Sequence, residues 1–378
     1  MGSTKPLSIG IAGAGSAGLF LALLLQKQGH RVYLFERASQ LRCDGCGLLV
    51  IPQGLEAISA CSDEGLLTEL INSGKTVSRY VFRNLRGEII NTSPATVLPG
   101  DFPPLLIHRK AIMEALYSRI NPDILHVASD VLEYKNYCGG VEVSFTDGKC
   151  WQGDLLIGAD GIFSKVAPLV APERKLNYLG DRVWRGVVED DYFCTDGEFF
   201  VYARGRGVYA NSFDIGVNEY GAPITHWGFF HEEPLPANRA EQKRMLLEPV
   251  PTNLLAKIPD DIARLIKSTP VERVLANWSF DIDPLPRLVN GRAVLIGDAA
   301  HAMSSSQASG MTTGWEDCVV LAQQLESCVN GAAGDIDTAI AAYNEIRLPQ
   351  VHQRQAKSRD VSAKVGRKRK PQARTEIN

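Results

Sequence analysis

The sequence predicts an α/β protein that opens on a strand, turn, helix, strand unit and holds a strand-rich aromatic segment in its second half. Residues 7–12 are apolar and run into closely spaced glycines, 17–28 read as a helix, and 31–35 form a second apolar run. Two later apolar runs, 155–157 and 293–296, each lead into a Gly/Asp turn, as short buried parallel strands do. Residues 184–230 carry 12 of the 29 aromatic residues, where an even spread gives about 3.6. Aromatic side chains favour strands, and a sheet whose inner face lines an apolar pocket draws on the same composition. Both readings stand at this point.

The remaining elements follow in order. Pro52 opens a helix over 52–59, at a position where its missing N–H costs nothing. Ile112, Leu116 and Ile120 recur at i, i+4 and i+8 in a helix over 109–120, stopped by Pro122. Residues 141–145 alternate apolar and polar before Asp147-Gly148, a hairpin signal. From Gly310 a helix runs to about 327, and another spans about 335–348. There is no tandem repeat, and the one compositionally odd segment is the basic end, 364–378.

Composition narrows the function classes. A chain of 378 residues with 45% hydrophobic and 22% charged residues is an ordinary globular one. Its length suits about two domains at roughly 150 residues each, not a disordered, collagen-like or disulfide-dense chain. The formal charge is −3, yet the last fifteen residues hold six Lys or Arg against one Glu, so residues 1–363 sum to about −8. Such a body is no nucleic-acid platform, and the tail reads as a solvated end. The apolar run 19–25 is far short of the roughly 20 residues a membrane span needs, and glycines interrupt what precedes it. The expectation is a cytoplasmic protein, monomer or homodimer, without a membrane span. Eight cysteines form no regular framework, and Cys43 and Cys46 lack the second ligand pair of a zinc site, so no metal is expected.

The clearest chemistry lies in Gly13-Ala14-Gly15-Ser16-Ala17-Gly18, between the first strand and the first helix. Gly13 permits a tight turn, Gly15 lets backbone approach a pyrophosphate, and Gly18 lets helix and strand pack closely. The helix N-terminus adds N–H groups and positive potential. Glu36, 23 residues after Gly13, stands where a carboxylate accepts from an adenosine ribose and would repel a 2′-phosphate. A resident FAD or NAD follows, rather than NADP.

Two further segments choose FAD: Gly158-Ala159-Asp160-Gly161 with Ser164, and Gly297-Asp298-Ala299-Ala300-His301 ahead of a helix. With Glu36-Arg37, the loop Gly45-Cys46-Gly47-Leu48, His108-Arg109, Trp184-Arg185-Gly186, Glu316-Asp317, Tyr343 and Arg347, the chain resembles the single-component FAD-dependent aromatic hydroxylases (group A flavoprotein monooxygenases) over nearly its whole length. The resemblance implies a Rossmann-like FAD-binding domain of three layers (ββα) over 1–75, 105–180 and 275–363. An inserted mixed β-sheet substrate domain would span 76–104 and 181–274, with 364–378 as a basic tail.

It also implies non-covalent FAD, with NAD(P)H and O2 as co-substrates. The product would be a hydroxylated or epoxidised aromatic or polyketide-like molecule, formed through a flavin C4a-hydroperoxide. By the same resemblance Gly13, Gly15, Ser16, Ala17, Gly18, Glu36, Arg37, Gly47, Arg109, Asp160, Gly297, Asp298, Gly310 and Met311 bind cofactor. The amides near Gly310 and Met311 would stabilise negative charge on reduced flavin.

Departures from the family pattern matter. Its Pro and first Gly after the GDAAH segment are here Ser305 and Ala308, and the Arg expected after Ser164 is Ala167. Ser304, Ser305 and Ser306, with Trp184 and Phe229, are therefore candidate substrate contacts. His108 and Arg185 are candidates for facing the reacting centre, and no catalytic residue is otherwise assigned. No second GxGxxG appears, and no Gly-x-Trp-x-Trp-x-Ile-Pro segment of the related halogenases. The rival readings are an FAD oxidase or dehydrogenase, and a flavin-binding protein without redox function.

Overall fold

The computed structural model describes residues 6–364, apart from 44, 62, 98–99, 190–192, 219 and 330–334; the basic tail beyond Lys364 lies outside the described residues. The opening unit forms because an apolar strand, Ser8–Ala12, reverses at Gly13 into the helix Ser16–Lys27, whose buried leucines return the chain to a second strand, Arg31–Phe35. These strands pair in parallel, with Ile11 opposite Leu34, and Leu155–Gly158 adds on the other side with Ile11 opposite Ile157. The finished sheet has six strands, ordered 289–290, 293–295, 155–158, 8–12, 31–35 and 125–126.

Its two faces are covered differently. Gly10 faces the Trp151 ring of a three-stranded antiparallel sheet built from Val131–Tyr137, Gly140–Phe145 and Cys150–Gly153. Ile11 faces the first helix, where a Cβ on Gly18 would meet its Cγ2 at 3.5 Å. Sheet, sheet and helices make the three-layer Rossmann-like arrangement. The hairpin predicted at Asp147-Gly148 is present, with Gly148 at φ +84° and Asp147 Oδ1 accepting from Lys149 N at 3.0 Å.

A second, seven-stranded sheet is ordered 274–282, 176–189, 223–232, 208–217, 198–205, 79–83 and 89–94. One of its faces is roofed by the helices Thr252–Leu255 and Asp260–Ser268, around a core holding Trp184, Trp227, Phe229, Tyr202, Ile262 and Leu265. The other face meets a small sheet of Gly47–Val50, Leu105–His108 and Gly74–Thr76, through Leu106, Phe213 and Ile215. No helix among the described residues is long and apolar enough to cross a membrane, and no cluster there could hold a metal ion.

The last helix departs from expectation. It is predicted to stop near 348 but runs Ile336–Lys364 straight through Pro349. Burial outweighs the lost N–H: Val351, Gln355, Ser358 and Ser362 all face the protein, and Ser358 Oγ donates to the Ser304 carbonyl at 3.1 Å.

Candidate active site

A cleft of about 260 Å³ opens at the C-terminal end of the first strand, lined by Gly13, Gly15, Glu36, Arg37, Arg109 and Asp160 among others. The three glycines each meet a different demand. Gly13 has φ +105°, and a Cβ there would sit 2.5 Å from the Ala159 carbonyl. A Cβ on Gly18 would sit 2.0 Å from the Gly13 carbonyl, while one on Gly15, the N-cap of the first helix, would meet nothing. Ser16 and Ala17 form that helix's first turn. At the rim, Glu36 Oε2 accepts from Ala14 N at 3.1 Å and Oε1 from Ala38 N at 2.9 Å, fixing the carboxylate beside the glycine turn.

The Asp160-Gly161 segment closes the opposite side. Asp160 accepts from Ser164 Oγ at 2.5 Å and from Lys165 N at 2.7 Å. Burial raises its pKa, and those hydrogen bonds oppose the rise. Arg174, which sequence reasoning missed, ties this segment to the Gly297-Asp298 corner: it donates to the Ile162 carbonyl at 2.6 Å and to the Ala299 carbonyl at 3.2 Å. An Arg outside any motif gives no signal before the fold is known.

The Gly297-Asp298 corner rests on a buried polar cluster. Gly297 adopts φ +60°, and its N–H goes to Asp317 Oδ2 at 2.9 Å. The same oxygen pairs with His301 Nε2 at 2.6 Å, and Oδ1 takes Arg347 Nε at 2.8 Å. Burial opposes ionisation of Asp317, but the His301 and Arg347 charges and these donors outweigh it, and its pKa lies below the ordinary value. Asp298 itself opens the short helix Asp298–His301. The residue is exposed at the surface, yet the protein packed around its carboxyl raises its pKa, against the opposing charges of His301 and Arg174. Gly310 and Met311 start the helix Gly310–Val329 next to it: a Cβ on Gly310 would meet Asp298 Oδ1 at 3.6 Å.

Arg109 of the cleft packs against a loop that reaches the face of the seven-stranded sheet away from its helices. The loop at Gly45–Gly47 is held flat between them, since a Cβ on Gly45 would meet Arg109 Cβ at 2.7 Å and one on Gly47 would meet His226 Cβ at 2.5 Å. Gly47 N donates to His226 Nδ1 at 3.1 Å. Burial pushes the His226 pKa well down, and the charges of Arg185 and His108 add to this. Burial likewise raises the Cys46 thiol, against the Arg185 and Arg109 charges. Arg185 lies on this face: Nη1 donates to Asn277 Oδ1 at 2.5 Å, and its guanidinium lies 5.6 Å from the Phe230 ring centre.

Several of the expected site residues lie elsewhere. Trp184 and Phe229 are fully buried on the helix-covered face, with Trp184 Nε1 donating to the Glu248 carbonyl at 2.9 Å, so they are core residues and not substrate contacts. Strand alternation is the reason: Trp184 precedes Arg185, and Phe229 precedes Phe230, so each neighbour takes the opposite face. Ser304 Oγ, Ser306 Oγ and Ser362 Oγ bond one another at 2.6 to 2.8 Å, which ties the loop to the last helix and leaves Ser305 as the exposed member. His108 caps the helix Arg109–Tyr117 by accepting from Lys110 N at 3.0 Å, and burial lowers its pKa. His226, Asn211 and Gly228 on the open face were missed. Their alternation was readable in the sequence, but both faces carry apolar residues and nothing in it says which one the helices cover.

Known proteins share this organisation. Residues 260–358 match the family model described as FAD binding domain. The chain is 29% identical to aurachin C monooxygenase/isomerase of Stigmatella aurantiaca over 354 residues, covering 92% of this chain and 86% of that protein. It is 29% identical to salicylate hydroxylase of Pseudomonas putida over 375 residues, covering 91% and 82%. In fold it matches the crystal structure of an Arg-to-Gln variant of Klebsiella pneumoniae HpxO complexed with FAD, with a TM-score of 0.81 at 25% identity, covering 95% of this chain and 91% of that one.

Proposed function

Starting from a chain that resembles the FAD-dependent aromatic hydroxylases in sequence and in fold, we propose that it is an NAD(P)H-dependent monooxygenase placing one atom of O2 into an aromatic or polycyclic small molecule. The observation that carries the reading is the cleft at the glycine turn, with Glu36, Arg37, Arg109 and Asp160 on its walls and the Gly45–Gly47 loop packed between Arg109 and His226 of the second sheet.

The residues present fit FAD. Gly15 leaves open the approach a pyrophosphate needs, and the first helix offers its N-terminal amides there. Glu36 stands at the ribose position, Arg37 and Arg109 line the same cleft, and Asp160 supports its far wall. Asp298 would hold the ribityl chain where the Gly297 turn aims it. Bound and reduced, FAD supplies the two electrons that activate O2.

The chain's own residues do the rest. The amides at Gly310 and Met311, at the N-terminus of the helix Gly310–Val329, would favour negative charge on a bound, reduced flavin. Gly47 and the face around Arg185 enclose the substrate and exclude water. Neutral His226 holds the loop in place through Gly47 N. The His108 ring is oriented by its helix cap, Nδ1 accepting from Lys110 N. In this reading residues 1–75, 105–180 and 275–363 form the FAD unit, while 76–104 and 181–274 form the substrate unit. The nicotinamide nucleotide binds transiently at the FAD unit's surface, and the protein works in the cytoplasm as a monomer or homodimer.

The test is anaerobic stopped-flow reduction of the FAD-loaded protein by NADH and by NADPH, with and without a panel of aromatic ligands. The reading expects reduction by at least one nucleotide, accelerated by at least one ligand. No reduction by either nucleotide under any ligand would remove it in favour of a non-redox flavin protein.

A further inference from the structure

Resting on the reading of Asp298 as an FAD-binding residue, we infer that Arg174 is its positioning residue. Arg174 braces the Asp298 turn against the Asp160 segment, and it acts on FAD through the Asp298 carboxylate rather than by touching the cofactor.

Arg174 stands outside every motif, in the link between the short helix Ala167–Val170 and the strand Leu176–Glu189. Its backbone is set by a turn, with its N–H donating to the Ala171 carbonyl at 3.0 Å. From there the half-buried side chain reaches two segments far apart in the chain. Nη2 donates at 2.6 Å to the carbonyl of Ile162, just after Asp160-Gly161, and Nε at 3.2 Å to the carbonyl of Ala299, the neighbour of Asp298. A guanidinium holds its N–H groups in one rigid fork, so a single side chain fixes the spacing of both carbonyls. The Asp160 end is a firm anchor: that carboxylate accepts from Ser164 Oγ, Lys165 N and Val166 N.

Both bonds end on neutral carbonyls, and no carboxylate among the described residues is ion-paired with the guanidinium. Its charge is answered at longer range. Burial lowers the Arg174 pKa, and the charges of Asp160 and Asp298 oppose this. The attraction is mutual, so the cation favours the ionised form of Asp298, the form that accepts hydrogen bonds from the ribityl hydroxyls of a bound FAD. Position 167, where the resembling hydroxylases carry an arginine, is here a fully buried alanine whose N–H goes to Ser164 Oγ at 2.8 Å. Arg174 brings a cation to this segment from the other end of the same link.

The experiment measures the FAD affinity of the apoprotein by quenching of flavin fluorescence in the wild type, Arg174→Gln, Asp298→Ala and the double variant. Arg174→Gln should weaken FAD at least about tenfold. In the Asp298→Ala background the same substitution should cost about twofold or less, because the side chain through which Arg174 acts is gone. Wild-type affinity in Arg174→Gln overturns the inference, and so does an equal loss in both backgrounds, which marks a merely structural residue. If Arg174→Gln does not fold, Arg174→Lys decides by the same cycle. It keeps the charge, reaches one carbonyl and should lose about threefold, only where Asp298 is present. Failure here is distinct from failure of the proposed function. A wild-type protein that does not load FAD removes both, whereas one that loads FAD equally well with Arg174→Gln removes the role of Arg174 alone.

Discussion

Asp317 accepts the Gly297 N–H at 2.9 Å and so sets the turn that leads into Asp298. The contact is wholly buried, and the same carboxylate also neutralises Arg347 and engages His301. Asp317→Asn removes the charge and leaves the buried Arg347 guanidinium with Glu316 as its one remaining carboxylate partner among the described residues. Breaking one side of such a pair costs about 3–5 kcal/mol. Urea unfolding of the FAD-free protein should show that loss, and FAD affinity should fall with it. Wild-type stability in the variant would show that the cluster does not support the turn.

The glycine turn separates structural need from cofactor need. A Cβ at position 18 collides with the Gly13 carbonyl, whereas one at 15 meets only open cleft. Gly18→Ala should lower the melting temperature of the apoprotein. Gly15→Ala should leave apoprotein stability within about 1 kcal/mol yet lose FAD affinity, because its methyl occupies the approach a pyrophosphate needs. Thermal melts beside FAD titrations check both, and an unchanged FAD affinity in Gly15→Ala contradicts the placement.

Much of this was legible before any coordinates. Gly13, Gly15, Gly18 and Glu36 sit in one contiguous stretch whose spacing is set by backbone geometry, so the turn and its carboxylate could be read directly. The Gly297-Asp298 and Asp160-Gly161 corners carried a similar local signal. The second sheet did not. In a strand apolar on both faces, alternation assigns Trp184 and Arg185 to opposite sides without saying which side the helices cover. Only tertiary packing settles that, and it sent Trp184 and Phe229 into the core. The continuation of the last helix through Pro349 was hidden for a related reason: local propensity argues for a stop, and the burial that overrides it is set by partners such as Ser304, far off in the chain.

Buried His226 gives the stability a pH dependence. Its folded pKa is depressed well below the ordinary 6.5, so between those two values the unfolded chain binds the extra proton. Its stabilising contribution is therefore complete above about pH 6.5 and is lost as pH falls toward the folded value. His30, His108 and His231 are depressed by burial too and share the trend, so the informative quantity is a difference. Melting temperatures from pH 8 to 5 should fall less steeply in His226→Gln than in the wild type. Parallel curves would show that this ring does not titrate on unfolding.

Neighbouring residues on opposite faces should behave oppositely. Trp184→Ala empties a fully buried site under the helices and should cost about 3–5 kcal/mol in unfolding free energy, while the spectrum of any FAD that remains bound stays unchanged. Arg185→Met should cost far less and instead abolish the spectral response to aromatic ligands. Denaturation curves and ligand difference spectra on the two variants make the comparison; a ligand response surviving in Arg185→Met would move the substrate off this face.

The most direct measurement of the central claim is mass spectrometry of the products formed under labelled oxygen. The FAD-loaded protein is supplied with 18O2, the nicotinamide nucleotide that reduces it, and each ligand that accelerates reduction. The account expects one labelled oxygen atom in an organic product, formed in proportion to nucleotide consumed. Hydrogen peroxide equal to the nucleotide oxidised, with no labelled product from any such ligand, would contradict it and identify an oxidase.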